Sequence, residues 1–281
     1  MLDNPLDLLA KIRFDEQPVP GATLDDLRPD LWQRFASPRQ KDSREVLLDK
    51  LAMARPDADG TLRPTVAGVL MASADPRRWL PNAFIQAVAY RGTEVIPPGD
   101  RLYYQIDAKD ITGPLDQQVL AACHFVMKNM RVAARKHMGR QDLPQFDLTA
   151  VFEAVVNAVA HRDYAIHGAK IRLRVFADRL ELYSPGAIPN TMTVESLPYR
   201  QAARNEALTS LLAKCVVAEE DQVFTGRSTM MDKRGEGVQV ILDSSERLSG
   251  QRPVYRMVDE AELVLVVPAA RFDVSQEVAQ G

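Results

Sequence analysis

The sequence predicts an α+β protein in two domains joined by a long helix, and three observations carry that reading. The chain has 281 residues, more than one compact core usually organises. A Gly113–Pro114 break is followed by apolar residues at helical spacing, Leu115, Val119, Ala122, Val126 and Met130. After Tyr164 and Gly168 the pattern changes from helical to alternating: Ile171, Leu173 and Val175 share one side, Lys170, Arg172 and Arg174 the other. The expected division is 1–112 for an N-terminal α/β domain and 113–281 for the connector helix with the second domain.

In the first domain, Pro18, Pro20 and Gly21 break the opening segment. Thr23 caps a short helix with Asp25 and Asp26 in its first turn, where negative charge suits the helix dipole. Ser43 to Met53 reads as a second helix. Thr65 to Ala72 and Ala83 to Tyr90 read as strands, rich in Val, Ile and aromatics, and Arg101 to Lys109 as a third. No nucleophile–base pair, metal spacing or phosphate loop stands in this half, so it reads as structural.

The connector helix is expected over Leu115 to Met138. Lys128, Arg131, Arg135, Lys136 and Arg140 follow along it, either as a solvated helix face or as a contact for a DNA backbone. Gly139 to Phe146 is expected to be a linker, and Asp147 a good N-cap for the helix after it.

That helix, Val151 to Tyr164 (VFEAVVNAVAHRDY), is apolar almost all round except for Glu153, Asn157 and His161. Residues four apart project from the same face. Buried polar groups need partners, so the row is either a satisfied seam in the core or one wall of a ligand site. Beyond it, the strand pair runs into Ser184-Pro185-Gly186-Ala187-Ile188-Pro189, a tight loop that leaves backbone open. Thr191 to Ala203 is expected to be only partly ordered. Arg204–Asn205 opens a helix over Glu206 to Cys215, and Val216 to Lys233 lacks periodicity. Arg234-Gly235-Glu236-Gly237 then feeds another helix, whose N-terminal N–H groups suit an anion. Pro253 to Val258 and Glu262 to Pro268 form a second hairpin, and Arg271 to Gly281 a frayed tail.

Bulk properties narrow the function. The net charge of −3 gives no global basic character for nucleic acid. The two cysteines, Cys123 and Cys215, lack disulfide or zinc spacing and read as reduced core thiols of a cytoplasmic protein. No apolar run reaches the roughly 20 residues that span a bilayer, and the N-terminus does not read as a secretory signal. His161-Arg162-Asp163 matches the catalytic triplet of protein kinases. The metal-binding Asn that must follow the Asp is replaced by Gly168, which argues against a kinase.

Glu153 to Tyr164, Ser184 to Gly186, Arg204–Asn205 and Gly235 to Gly237 stand in the order seen in one family. This layout resembles the GHKL ATPases with the Bergerat fold, and more closely the bacterial predicted transcriptional regulators with a divergent histidine-kinase-like ATPase domain. The resemblance covers about 147–268. PTVAGVLMAS resembles the segment that follows the AlbA-like (Schlafen-type) DNA-binding domain of such regulators. That domain and the usual C-terminal winged helix have no counterpart here, which implies a fragment or a reduced member.

The resemblance implies a two-layer α/β sandwich for the second domain, with ATP and Mg²⁺ as cofactors. It implies Glu153 as the catalytic residue that orients or deprotonates water, and Asn157 as the Mg²⁺ ligand. Asn157, Ser184, Gly186, Ile188, Gly235 and Gly237 become the nucleotide-binding residues. His161, Arg162 and Asp163 take a structural role, ending the helix and pairing with nearby loops. One departure is plain: where the family carries an adenine-reading Asp, this loop has Ser184, and Asp178 and Glu181 lie back on the hairpin. The implied function is an ATP-binding, transcription-related regulator with a divergent site, and a weak Mg²⁺-dependent ATPase is compatible with Glu153. The alternative is a non-enzymatic scaffold or dimerisation module with a degenerate nucleotide site. Implied partners are nucleotide, a second copy through helix 115–138, and DNA, with no membrane.

Overall fold

A computed structural model describes residues 13–37, 39, 41–96, 104–136, 140–189, 192–232 and 235–272. In chain order its main elements are α1 (Pro29–Trp32), α2 (Arg44–Lys50), β1 (Ala54–Pro56), β2 (Leu62–Pro64), α3 (Val66–Ala72), β3 (Ile85–Tyr90) and β4 (Gln105–Ile111). They continue with α4 (Leu115–Asn129), β5 (Val132–Lys136), β6 (Arg140–Pro144), α5 (Leu148–His161), β7 (Ile171–Val175) and β8 (Arg179–Pro185). The last are α6 (Glu206–Leu212), α7 (Gly237–Ser249), β9 (Val254–Val258) and β10 (Glu262–Pro268).

The α+β architecture centres on a six-stranded mixed sheet in the order β4-β3-β7-β8-β10-β9. Only the β3–β7 pair is parallel; its register sets Ile85 beside Ile171 and Ala87 beside Leu173. Leu173 in turn faces Leu182, and Leu182 faces Leu265. This row forms the buried side of the sheet. Helix α4 packs on β3, β4, β7 and α5, while α5 packs on β8 and α7. Alternation puts Arg172, Tyr183 and Arg256 on the opposite side, where the Arg172 guanidinium lies 4.2 Å from the Tyr183 ring centroid. Strands β3 and β4, from the first 112 residues, thus belong to the same sheet as the two later hairpins.

The later half follows its sequence pattern closely. Asp147 Oδ1 accepts from the Ala150 N–H at 2.8 Å and starts α5, ten of whose residues are buried. Alternation gives the β7–β8 and β9–β10 hairpins as expected. In the first half Thr23 and Ser43 cap the expected helices, and β3 forms as read. The third expected strand is β4, of which only 105–109 overlap the sequence reading; residues 101–103 lie outside the described part.

Two readings are corrected. Thr65 to Ala72, expected as a strand, is the helix α3 with Thr65 as its cap, Oγ1 accepting from the Gly68 N–H at 3.0 Å. All seven residues of α3 are buried. A short apolar run buried on every side fits a helix as well as a strand, so periodicity could not choose between them. Gly68 lets the helix press on the chain at Met53, since a Cβ there would stand 2.0 Å from the Met53 carbonyl oxygen.

The connector helix stops at Asn129 rather than Met138. Residues 132–136 and 140–144 instead pair as an antiparallel hairpin, where a helix end and a linker were expected. Gln145 closes its base: its N–H donates to the Arg131 carbonyl at 2.8 Å and its Oε1 accepts from the Arg131 N–H at 2.9 Å. The basic run is therefore split between the end of α4 and this hairpin, and a dimer through a helix spanning 115–138 loses its last nine positions. The inner side of α4 already packs in this chain's own core through Leu115, Val119, Ala122 and Val126. Thr193 to Ala203 contains the short turn Val194–Ser196 and a second turn in which the Tyr199 N–H donates to the Ser196 carbonyl at 3.0 Å. The tail beyond 272 lies outside the described residues. Among the described residues, no helix is long and apolar enough to cross a membrane.

Candidate functional site

Glu153, Asn157 and His161 form one wall of a cavity of about 410 Å³, a size suited to a small-molecule ligand. Sheet residues Leu182, Leu263 and Leu265 form its floor, with Ser184, Gly186 and Ala187 at one margin and Gly235 and Gly237 at another. Helix α6 adds Glu206, Thr209 and Ser210. Of the catalytic and nucleotide-binding residues named from the sequence, Glu153, Asn157, Ser184, Gly186, Gly235 and Gly237 line this space and Ile188 does not.

Glu153 is only 3% exposed. Its Oε1 lies 2.6 Å from Arg227 Nη1, as a charge contact without the alignment of a hydrogen bond. Burial pushes the carboxyl above its ordinary range; Arg227 pulls the other way, and Asp232 adds to the rise. One turn along α5, the buried Asn157 Nδ2 has no hydrogen-bond partner. Both side chains press on the bare backbone of Gly237 at the start of α7. A Cβ there would stand 2.9 Å from Glu153 Oε2 and 3.2 Å from Asn157 Nδ2. No side chain caps the N-terminus of α7, so its positive end faces this carboxylate and amide. Burial, reinforced by Arg204, pulls the His161 imidazole down to about 4, so it is neutral at pH 7.

The Arg162-Asp163-Tyr164 stretch proves to be a clasp. Arg162, 3% exposed, donates to the carbonyls of Asn82 and Ala169, each at 2.7 Å. The Tyr164 hydroxyl donates to the Val159 carbonyl at 2.8 Å. The Asp163 N–H donates to the Pro185 carbonyl at 2.8 Å, and its Oδ2 meets Arg204 Nη1 at 2.8 Å. Arg204 also donates to the Ala187 carbonyl. Asn205 Nδ2 closes α5, donating to the carbonyls of Ala160 at 2.9 Å and Arg162 at 2.8 Å. Asp163 packs so tightly on the glycine loop that a Cβ on Gly186, at φ +120°, would stand 2.7 Å from the Asp163 Cβ. Three sequence motifs are therefore one physical unit that fixes the loop beside the cavity.

Ser184 Oγ donates to the Ala158 carbonyl at 3.3 Å, which leaves its lone pairs as acceptors. Glu181 is tied to Arg179 and the Tyr183 hydroxyl, both at 2.7 Å, and Asp178 to Arg179 at 2.9 Å; neither acid lines the cavity. Sequence reasoning missed Arg227, Asp232 and Tyr255. The first two sit in an aperiodic stretch, and Tyr255 reads as an ordinary strand residue.

Residues 168–267 match the family model HATPase_c_4, described as "Putative ATP-dependent DNA helicase recG C-terminal". That span holds the β7–β8 and β9–β10 hairpins, α6 and α7, and it supports a divergent ATPase-like domain there. Glu153 and Asn157 lie before it. Among solved structures, the DIP2311 protein of Corynebacterium diphtheriae is similar in fold, with a TM-score of 0.60 at 22% identity. The alignment covers 92% of this chain and 47% of the other, so the chain spans about half the length of that relative. No curated protein matches the chain.

Proposed function

We propose that this ATPase-like domain belongs to a nucleotide-binding regulatory protein that takes ATP with Mg²⁺ in a divergent Bergerat-type site and serves a transcription-related role. One observation carries the reading. Glu153, Asn157, Ser184, Gly186, Gly235 and Gly237 are scattered over the sequence, yet all border one cavity.

The chemistry of the walls fits such a ligand. The apolar floor of Leu182, Leu263 and Leu265 suits a base, and the bare start of α7 suits phosphate oxygens. Asn157 Oδ1 is an oxygen of the kind Mg²⁺ takes, and the buried Asn157 Nδ2, without a hydrogen-bond partner, suits an acceptor such as a phosphate oxygen. Among the described residues, no three His, Cys, Asp or Glu side chains gather to hold a metal. A Mg²⁺ here would therefore be completed by phosphate oxygens and water, and would supply charge neutralisation to the phosphates. The lone pairs of Ser184 give the site an acceptor where related sites carry an acid. In this reading Glu153 is the residue that would orient an attacking water.

Titration of the purified chain with labelled ATP and Mg²⁺ tests the proposal. Saturable binding that weakens by about tenfold or more in Asn157→Ala supports it. An absence of binding at millimolar nucleotide, with wild type and variant alike, sinks it.

A further inference from the structure

Acids outnumber cations among the described residues that line the cavity. Among its described lining residues Glu153, Glu206 and Asp232 are acidic, Arg200 is basic, and His161 is held neutral. Glu206 is ion-paired with Arg13, and an anionic ligand beside Glu153 is favoured by any further cation that can turn toward it.

Arg227 is the cation best placed to do so. It stands just behind Glu153, outside the cavity lining, with its side chain 24% exposed. The loop that carries it is pinned on both sides. The Val217 N–H donates to the Ser228 carbonyl at 3.0 Å, and the Met230 N–H to the Cys215 carbonyl at 2.9 Å. Phe224 is fully buried, edge-on to His124 at 4.7 Å, and His124 meets Asp221 at 3.0 Å. The backbone at Arg227 is thus anchored, while its guanidinium has one ion-pair partner among the described residues, Glu153 Oε1. That contact lacks hydrogen-bond alignment, unlike the paired, aligned contacts Arg34 makes with Asp116 at 2.5 and 3.0 Å. The other oxygen, Oε2, faces Gly237.

We propose that Arg227 is a displaceable counter-ion of the site: it pairs with Glu153 in this structure and passes to the terminal phosphate of a bound nucleoside triphosphate. A buried carboxylate does not give up its only cation without replacement. Glu153 is accordingly left beside the cation that accompanies the nucleotide, and a ligand without a γ-phosphate offers Arg227 no new partner. The inference rests on the nucleotide-binding reading above and adds to it a residue that tells triphosphate from diphosphate.

The test measures equilibrium binding of labelled ATP and ADP, each with Mg²⁺, to the full chain as wild type, Arg227→Met, Glu153→Gln and the double variant. Arg227→Met is expected to weaken ATP by about tenfold and ADP by less than about twofold. The ATP loss should be at least about threefold larger in the Glu153→Gln background, where Arg227 gives up no partner. Arg227→Met alone strands a buried charge, so the comparison of Glu153→Gln with the double variant stands if the single variant folds poorly. An unchanged ATP-to-ADP ratio in that comparison overturns the proposal. So do equal losses in the two backgrounds when both fold. Wild type that binds neither nucleotide rejects the nucleotide reading itself, and with it this one.

Discussion

Asp163 and Arg204 meet at 2.8 Å across the end of α5 and the start of α6. Through that pair the HRDY stretch, the Ser184–Gly186 loop and the Arg204–Asn205 turn become one body. Asp163 carries the loop on its backbone N–H, and Arg204 holds the carbonyl of Ala187 on the far side. The loop's shape is therefore set from behind, by groups that do not enter the cavity.

The glycine at the centre of this arrangement is expected to resist change. Gly186→Ala adds a Cβ at φ +120°, 2.7 Å from the Asp163 Cβ and 3.1 Å from its backbone nitrogen. Backbone strain and collision together should destabilise the protein by about 2–4 kcal/mol. Urea denaturation checks this, and a loss under about 0.5 kcal/mol contradicts the packing described.

Gly68→Ala offers a sharper version of the same test in the first half. The added Cβ would stand 2.0 Å from the Met53 carbonyl oxygen, and backbone atoms give way less than side chains. A loss of about 3 kcal/mol or more is expected, with no folded protein if the total stability is small. The neighbouring Ala67→Gly, which loses helix propensity and one buried methyl, should cost about 2 kcal/mol. If instead the two variants melt alike, α3 does not lie against Met53.

His161 predicts a pH dependence. Its folded-state value is pulled down to about 4 from an ordinary 6.5. The unfolded chain then binds the proton first as pH falls, so the stability this group contributes is present above pH 6.5 and is lost as pH drops toward 4. The loss amounts to roughly 2–3 kcal/mol over that window, partly screened by solvent. Denaturation at pH 7, 6 and 5 of wild type and His161→Asn should give curves that differ in slope across the interval. Parallel curves mean that the imidazole is hydrated and charges freely.

Much of this architecture was legible in the residues. Asp147 announced α5, and the alternation of Ile171, Leu173 and Val175 announced a sheet with one buried side. In both cases local chemistry and burial point the same way. The reading failed where they part. The run TVAGVLMA is buried on all sides, and only the cap at Thr65 separates helix from strand. The stretch after Asn129 keeps a helical look in sequence, but Gln145 reaches back to Arg131 and draws it into a hairpin. The elements that border the cavity, α5, β8 and α7, are legible in short motifs, because each carries its own backbone signature, while the row on α5 alone fits a core seam as well as a cavity wall. Arg227 could not be foreseen, since a charged residue in an aperiodic loop has no local feature that says which acid it will face. Arg204–Asn205 reads as a helix start in the sequence, but its tie to Asp163 and to the end of α5 exists only in three dimensions.

The parallel pairing of Ile85–Ala89 with Ile171–Val175 has a consequence for how this protein can be divided. A cut between residues 112 and 113 would pass through no strand or helix and would look harmless on a map of elements. It would nevertheless strip the later hairpins of a neighbour and bare a row of backbone donors and acceptors along β7, while β3 lost its partner on the same side. Each piece would carry an adhesive border cut to fit the other, so the two halves are better regarded as complementary castings of one sheet than as modules to be expressed, swapped or inherited separately.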